Sequence, residues 1–153
     1  MVSLGCPKNT VDAELVLGDL LENGYEITPH QEEADIIIVN TCGFIEASKR
    51  ESIDTILEMA ALKSEGRCKK LVVTGCLSER YNDELLKEIP EIDHMLGVNQ
   101  YPQLKHILKI TSDSSGRVAS PNHVNDPAEY FESHTHRVLT TPFYTAYLKI
   151  GEG

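Results

Sequence analysis

The sequence predicts an α/β fold in which helices cover both faces of a doubly wound parallel sheet. The strongest sign is the stretch 34–44, where four consecutive apolar residues, 36–39, lie between Asp35 and Asn40. A strand that is apolar at every position is buried on both faces, as central strands of parallel sheets are. Short apolar runs alternate with helical spacing along the chain, which is the second sign of this class.

Five strands are predicted, at residues 1–4, 25–28, 35–40, 70–74 and 94–98. The common order of a five-stranded, flavodoxin-like sheet is 2-1-3-4-5. This order makes the first, third and fourth strands immediate neighbours.

Helices are predicted between these strands. The first begins with Asn9 as its cap and ends at Gly24, the second covers residues 44–62, the third stops near Pro90 and the fourth covers residues 101–110. Their predicted inner residues are Val11, Leu15, Leu17, Leu20, Leu21, Ile45, Ile53, Ile56, Leu57, Ala60, Ala61, Leu85, Leu86, Ile89, Leu104, Ile107 and Leu108.

The packed domain is expected to cover residues 1–110. Residues 111–143 are rich in Ser, Thr, Pro, Asn and His without a sustained period, which indicates a linker or a mobile segment. His134 and His136 lie in this segment without neighbouring Cys or carboxylate spacing, so we do not expect them to bind a metal. A fresh strand is predicted over residues 143–150, and we interpret the chain as a fragment of a larger protein.

The composition restricts the partners of this domain. The chain has 24 acidic and 14 basic residues and a formal net charge of -10, so direct nucleic-acid binding is not expected and a basic protein is the better match. No apolar run approaches the ~20 residues that cross a bilayer, and no segment resembles a signal peptide. We therefore expect a cytoplasmic protein without a membrane partner.

Three of the four cysteines follow predicted strands. Cys6, Cys42 and Cys76 each come after an apolar run and a turn residue. Neighbouring strands are ~4.8 Å apart, so the three thiols are expected within about 10 Å of one another at the ligand-binding edge of the sheet. A helix begins near each cysteine, and its positive amino end is expected to lower the thiol pKa.

This arrangement predicts a metal centre held by the three thiols, with buried or redox-active thiols as an equal alternative from the residues alone. Cysteines more than thirty residues apart favour an iron-sulfur cubane over zinc, whose sites usually show paired C-x2-C knuckles. Cys68 precedes a strand and is expected at the opposite edge, roughly 20 Å from Cys76, so it is excluded as a ligand.

Three ordered motifs around these cysteines resemble the N-terminal domain of the radical S-adenosylmethionine methylthiotransferases. They are Ser3-Leu4-Gly5-Cys6-Pro7-Lys8-Asn9, Asn40-Thr41-Cys42-Gly43-Phe44-Ile45 and Thr74-Gly75-Cys76-Leu77. The first two are similar to the branch that modifies an aspartate of small-subunit ribosomal protein twelve, whereas the transfer-RNA branch typically reads Tyr-Gly-Cys-Gln-Met-Asn at the first motif. Residues 144–153 are similar to the family's entry strand into its catalytic barrel.

The resemblance implies that Cys6, Cys42 and Cys76 hold an auxiliary 4Fe-4S cluster that carries the sulfur to be inserted. It implies a second 4Fe-4S cluster, which cleaves S-adenosylmethionine and is bound by a C-x3-C-x2-C motif expected directly after Gly153. These 153 residues contain no such motif, so no catalytic residue is assigned and the fragment alone is expected to be inactive. The implied partner is small-subunit ribosomal protein twelve, or the ribosomal subunit that carries it.

Two alternatives remain at this point. The chain could belong to a transfer-RNA methylthiotransferase, or it could be a flavodoxin-like ligand-binding module whose cysteines are incidental. No glycine-rich phosphate loop supports the second alternative. Asn9 and Asn40 either shape the cluster pocket or serve as a helix cap and a turn residue.

Overall fold

The computed structural model describes residues 1–65, 67–109, 121–124 and 137–150. In these residues four parallel strands form one sheet in the order β1-β2-β3-β4; they are β1 Val2–Ser3, β2 Ile36–Thr41, β3 Lys70–Gly75 and β4 His94–Met95. β2 and β3 pair along their whole length, from Ile36 beside Lys70 to Thr41 beside Gly75. The predicted α/β class with a parallel sheet is confirmed.

Two helices cover each face of the sheet; the four are α1 Pro7–Glu22, α2 Glu46–Glu65, α3 Cys76–Glu88 and α4 Leu104–Ile107. One core lies between the sheet and helices α2 and α3, and it contains Ile37, Val39, Ile56, Met59, Leu71, Val73, Leu77 and Leu85. The second core lies on the opposite face against α1 and α4, and it contains Val16, Leu20, Ile38, Val72, Leu104 and Ile107. Within the described part of the chain, no helix has the length and apolar composition needed to cross a membrane.

The predicted strand at residues 25–28 is not formed, so the five-stranded order 2-1-3-4-5 is not confirmed. The backbone groups here are used locally: the Tyr25 N–H donates to the Leu20 carbonyl, and the Thr28 hydroxyl accepts from the His30 N–H. Ile27 is 42% exposed, so pairing would bury little additional apolar surface. The strands that precede the cysteines are nevertheless immediate neighbours.

Several predicted bounds also differ from the structure. Asn9 lies inside α1, whose cap is Cys6, because Pro7 has no N–H to lose at the first helical position. The predicted strand 94–98 is shortened to β4, and the predicted helix 101–110 is a 3-10 turn, Tyr101–Gln103, followed by α4. Four residues predicted to point inward are exposed: Leu21, Ile45, Leu57 and Ala61.

Part of the predicted linker packs against the sheet. Asn122 forms a bridge with Met95 of β4, and the Met95 N–H donates to the Pro121 carbonyl at 2.7 Å.

Residues 137–150 lie against α1 and form no strand, so the strand predicted over 143–150 is absent from the described residues. Residues 110–120, 125–136 and 151–153, including His134 and His136, lie outside the described residues, and the domain boundaries remain a prediction.

A pair of buried histidines joins β4 to the segment at 121–124. The Nδ1 atom of His94 lies 3.2 Å from Nε2 of His123, and both rings are buried. Burial first, then the neighbouring His123 and Lys70, lower the pKa of His94 from 6.5 to about 4; Asp93 raises it and Lys63 lowers it further. The folded protein therefore holds His94 in its neutral form.

This pair makes folding stability depend on pH. Between pH 6.5 and 4 the unfolded chain binds a proton at His94 that the folded chain does not, so the stability present above pH 6.5 is lost as the pH falls through this window. Lowering the pH from 7 to 5 should cost roughly 2 kcal/mol of the free energy of unfolding, measured by urea denaturation. His94→Gln should remove most of this slope, whereas His30→Gln, at an exposed position, should keep it; equal slopes in all three proteins would contradict the assignment.

Candidate functional site

Cys6, Cys42 and Cys76 leave the sheet at one edge, which we call the cysteine edge. Cys6 caps α1, Cys42 directly follows β2, and Cys76 is the first residue of α3 directly after β3. The strand register aligns these exits, because Ser3 of β1 pairs with Asn40 of β2. The three loops that carry the thiols are therefore neighbours.

The loops also contact one another. A Cβ atom placed on Gly5 would lie 2.5 Å from Cβ and 2.8 Å from Sγ of Cys42, so the Cys42 side chain packs directly on the loop that carries Cys6. A Cβ atom on Gly43 would lie 3.0 Å from Cα of Leu77 and 3.4 Å from the carbonyl carbon of Cys76. There is thus no room for a side chain at Gly5. Its φ of +93° is also a value that glycine adopts more readily than other residues.

Ser52 of α2 holds the backbone of Cys42. Its hydroxyl accepts from the Cys42 N–H at 3.1 Å and donates to the Cys42 carbonyl at 3.0 Å. Sequence reasoning missed Ser52. The available signal was its spacing, since Ser52 lies on the same helical face as the buried residues Ile56 and Met59.

Two buried asparagines join the strand ends to α1. The Asn9 side-chain amide donates to the carbonyls of Leu4, at 2.8 Å, and Thr41, at 3.0 Å. The Asn40 amide donates to the Asn9 carbonyl at 3.0 Å, and the Tyr101 hydroxyl donates to the Asn40 side-chain oxygen at 3.1 Å. Asn9 and Asn40 therefore hold the cysteine edge in place, and the predicted cap role of Asn9 is wrong.

The electrostatics at Cys76 differ from expectation. Burial raises the pKa of the Cys76 thiol, and the neighbouring thiols of Cys42 and Cys6 raise it further, whereas Lys8 and Arg80 lower it. The predicted lowering by the helix terminus is wrong here, because burial of the half-buried thiol is the larger effect. The charges of Lys8 and Arg80 and the thiols of Cys6 and Cys42 thus all lie close enough to act on Cys76.

In the ranges that the structure describes, no group of three or more His, Cys, Asp or Glu side chains is already arranged to hold a metal ion. The chemistry of the donors nevertheless fits an iron-sulfur group, since thiolates are the ligands of such clusters. Because Gly5 has no side chain, the Cys42 side chain can lie against it. Lys8 and Arg80 bring positive charge near Cys76. The residues present therefore fit the implied group in the kind of donor that they offer.

Cys68 lies apart from this edge. It precedes β3, whereas Cys76 follows the same strand, so the two cysteines are at opposite ends of β3. Cys68 is buried in the core against α2 and α3, and its Sγ lies 3.4 Å from the Lys70 carbonyl. Burial, more than the other effects, raises the pKa of the Cys68 thiol.

A model of the uncharacterized protein family UPF0004 matches residues 1–97. The chain belongs to this family. It is also 52% identical to the ribosomal protein uS12 methylthiotransferase RimO of Geobacter sulfurreducens, 50% identical to that of Trichlorobacter lovleyi and 48% identical to that of Myxococcus xanthus. The resemblance of the three cysteine motifs to the methylthiotransferases is thereby confirmed.

These matches extend over the whole of this chain but over only 34%, 33% and 31% of the three relatives. The chain thus spans about a third of the length of the curated relatives it matches. All three cysteines of the cysteine edge fall within the part matched by the UPF0004 model.

Gly75, the last residue of β3, packs closely against the end of β2 in this UPF0004 chain. Its φ of 103° and ψ of -164° belong to a region that only glycine occupies readily. A Cβ atom here would lie 2.3 Å from the Thr41 carbonyl oxygen and 2.7 Å from the Asn40 side-chain oxygen. The position directly before Cys76 therefore requires glycine for two separate reasons.

Gly24 provides a matched control, because its φ is also positive, at +85°, but a Cβ atom there would meet nothing within 4 Å. Gly24→Ala should cost about 1–2 kcal/mol through backbone strain alone. Gly75→Ala should cost a further 1–3 kcal/mol, on the order of that found for overpacking. Denaturant unfolding of both variants measures the difference, and equal losses would show that the contacts with Thr41 and Asn40 impose no constraint.

Proposed function

We propose that this chain is the N-terminal part of a methylthiotransferase that inserts a methylthio group at the β-carbon of an aspartate in small-subunit ribosomal protein twelve. The observation that carries the proposal is the identity of 48–52% over the whole chain to proteins of that name. The radical chemistry and the S-adenosylmethionine site belong to the remainder of the full-length enzyme. The fragment alone is therefore inactive.

We further propose that Cys6, Cys42 and Cys76 hold the auxiliary 4Fe-4S cluster of this enzyme. The common edge of the three thiols, the packing of Cys42 on Gly5 and the electrostatic interaction of Cys76 with both other thiols support this assignment. When bound, the cluster supplies the sulfur that is transferred. The second 4Fe-4S cluster lies in the remainder of the enzyme.

The residues of this chain prepare the site in two ways. Hydrogen bonds from Ser52 and Asn9 hold the loops of the cysteine edge, which limits the backbone freedom lost when a cluster binds. Lys8 and Arg80 reduce the repulsion between neighbouring thiolates. Because the pKa of Cys76 is raised, binding of a cluster releases a proton there and becomes more favourable as the pH rises.

The surface charge supports a protein substrate. The chain carries 24 acidic against 14 basic residues, so it repels nucleic acid and attracts a basic ribosomal protein. A ribosomal substrate is consistent with a cytoplasmic location, where thiols stay reduced. For the fold we propose the flavodoxin-like family, supported by parallel strands with helices on both faces of the sheet.

The cluster assignment predicts metal binding by the chain as it stands. Anaerobic treatment with iron and sulfide should yield about four irons per chain, measured by iron analysis and visible absorbance. Cys6→Ala, Cys42→Ala and Cys76→Ala should each abolish this loading. Cys68→Ala is the matched control, because it removes a buried thiol at the other end of β3, and it should leave the loading unchanged; an equal loss in this variant would refute the assignment.

The substrate assignment is tested with the full-length enzyme under reducing conditions, with S-adenosylmethionine and sulfide supplied. Mass spectrometry should find the added methylthio group on small-subunit ribosomal protein twelve. Cys42→Ala should abolish the addition even though it leaves the radical cluster untouched. Modification of transfer RNA, with the ribosomal protein unchanged, would move the chain to the transfer-RNA branch.

A further inference from the structure

Residues 137–150 are fastened to α1 through the buried carboxylate of Glu14. One carboxylate oxygen of Glu14 accepts from Nε of Arg137, at 2.7 Å, and from its Nη2. The other oxygen accepts from the backbone N–H of Thr140, at 2.6 Å, and from its hydroxyl, at 2.9 Å. Both oxygens of a side chain with 0% exposure are therefore paired with a segment more than 120 residues away in the sequence.

A second carboxylate on the same helix holds the other end of the segment. Lys149 Nζ lies 2.6 Å from Oδ1 of Asp12, which is also buried. Arg137 connects the two ends, because its Nη1 donates to the Tyr147 carbonyl at 2.6 Å. We call the set Asp12, Glu14, Arg137 and Lys149 the α1 clamp.

The α1 clamp depends on charge. Burial raises the pKa of Glu14, but the hydrogen bonds from Thr140 and Arg137 outweigh it and leave the pKa below its usual value. Glu14 is therefore ionised at neutral pH, and a buried charge of this kind is stable only while it is paired. Two nitrogens of Arg137, Nε and Nη2, donate to one oxygen of Glu14, and the single nitrogen of a lysine cannot make these contacts together with the one to Tyr147.

The segment held by the clamp presents its apolar side chains to solvent. Phe143 is 97% exposed and Ile150 is 95% exposed, whereas the charged groups of Arg137 and Lys149 are turned toward α1. Packing against α1 therefore rests on ion pairs and on hydrogen bonds from Val138 and Thr140, and it leaves the side chains of Phe143 and Ile150 exposed. This distribution suits a segment whose outer side is covered by the rest of the full-length protein.

α1 connects this clamp to the thiols. Cys6 caps the helix and Glu14 lies eight residues later, about 12 Å along the axis at 1.5 Å per residue. Asn9, between them, is hydrogen-bonded to the ends of β1 and β2. A single helix, anchored to the sheet, thus separates the cysteine edge from the α1 clamp by a fixed distance.

We infer that Asp12, Glu14, Arg137 and Lys149 are positioning residues that fix the chain leaving this domain relative to the cysteine edge. Through this fixed exit they set how the rest of the full-length enzyme approaches the thiols. The inference about approach rests on the proposed function, whereas the attachment of residues 137–150 to α1 does not.

The attachment is tested in the 153-residue chain by hydrogen-deuterium exchange. Glu14→Gln combined with Arg137→Met removes both charges and leaves no buried charge unpaired. The Thr140 amide donates to the Glu14 carboxylate, and the Val138 amide donates to the Glu14 backbone carbonyl. Because the variant loosens the whole segment, both amides should exchange at least about tenfold faster, while the amides of β2 and β3 keep their protection. Unchanged exchange at both positions would overturn the inference.

The full-length enzyme tests the consequence of the attachment. The double variant should keep its iron content, should show a larger radius of gyration by small-angle X-ray scattering, and should lose on the order of tenfold to a hundredfold in kcat with little change in KM. Arg137→Lys, which keeps the charge but not the two contacts from Nε and Nη2, should recover part of the loss. Lys69→Met is the matched control, because it breaks the exposed ion pair with Asp35, and it should change none of these quantities.

The outcomes separate the two proposals. If the wild-type enzyme transfers no methylthio group, the proposed function fails, whereas exchange and scattering still decide the inference. If the double variant loosens residues 137–150 but keeps the radius of gyration and kcat, the positioning role is refuted. A loss of kcat accompanied by loss of iron would also refute it, because the effect would then act on the cluster site.

Discussion

The pairing of β2 with β3 determines where Cys42 and Cys76 leave the sheet, and β1 pairs with β2 to bring Cys6 to the same edge. Both strands are buried on both faces, so a slip of one residue would turn Ile38 and Val72 into the wrong core. Gly75 opposes such a slip, because its backbone lies against Thr41 with no space for a Cβ atom. Cys42 and Cys76 therefore leave the sheet at the same level.

Buried polar side chains then hold the backbone around Cys6 and Cys42 in one arrangement. Asn9, Asn40 and Ser52 are nearly fully buried, and each is hydrogen-bonded to backbone near the cysteines: Asn9 to the ends of β1 and β2, Asn40 to α1, and Ser52 to Cys42. Such groups are costly when unsatisfied, since removing one partner costs roughly 1–3 kcal/mol. The network thus favours one arrangement of the loops before any ligand is present.

The features that could be predicted from the sequence are those that depend on a local pattern of residues. The apolar runs of β2 and β3 and the cysteines after them were correctly located, because burial on both faces is visible in consecutive residues. The edge strand at 25–28 was wrongly predicted because its backbone bonds to Leu20, a partner that propensity does not reveal. The α1 clamp was missed because it joins residues more than 120 positions apart, where no periodicity operates. Helical spacing places Ser52 on the buried face of α2 but does not reveal its partner, Cys42.

Charged groups in this chain act both at long range and at short range, and salt screens the two kinds of interaction differently. The net charge of -10 produces a field that attracts a basic partner from a distance, but salt at physiological strength reduces it beyond about 8 Å. Lys8 and Arg80 act on the half-buried Cys76 at short range, where salt screens much less. Added salt should therefore weaken this long-range field more than it changes the interactions at the Cys76 thiol. An acidic domain can in this way keep positive charge beside its thiols.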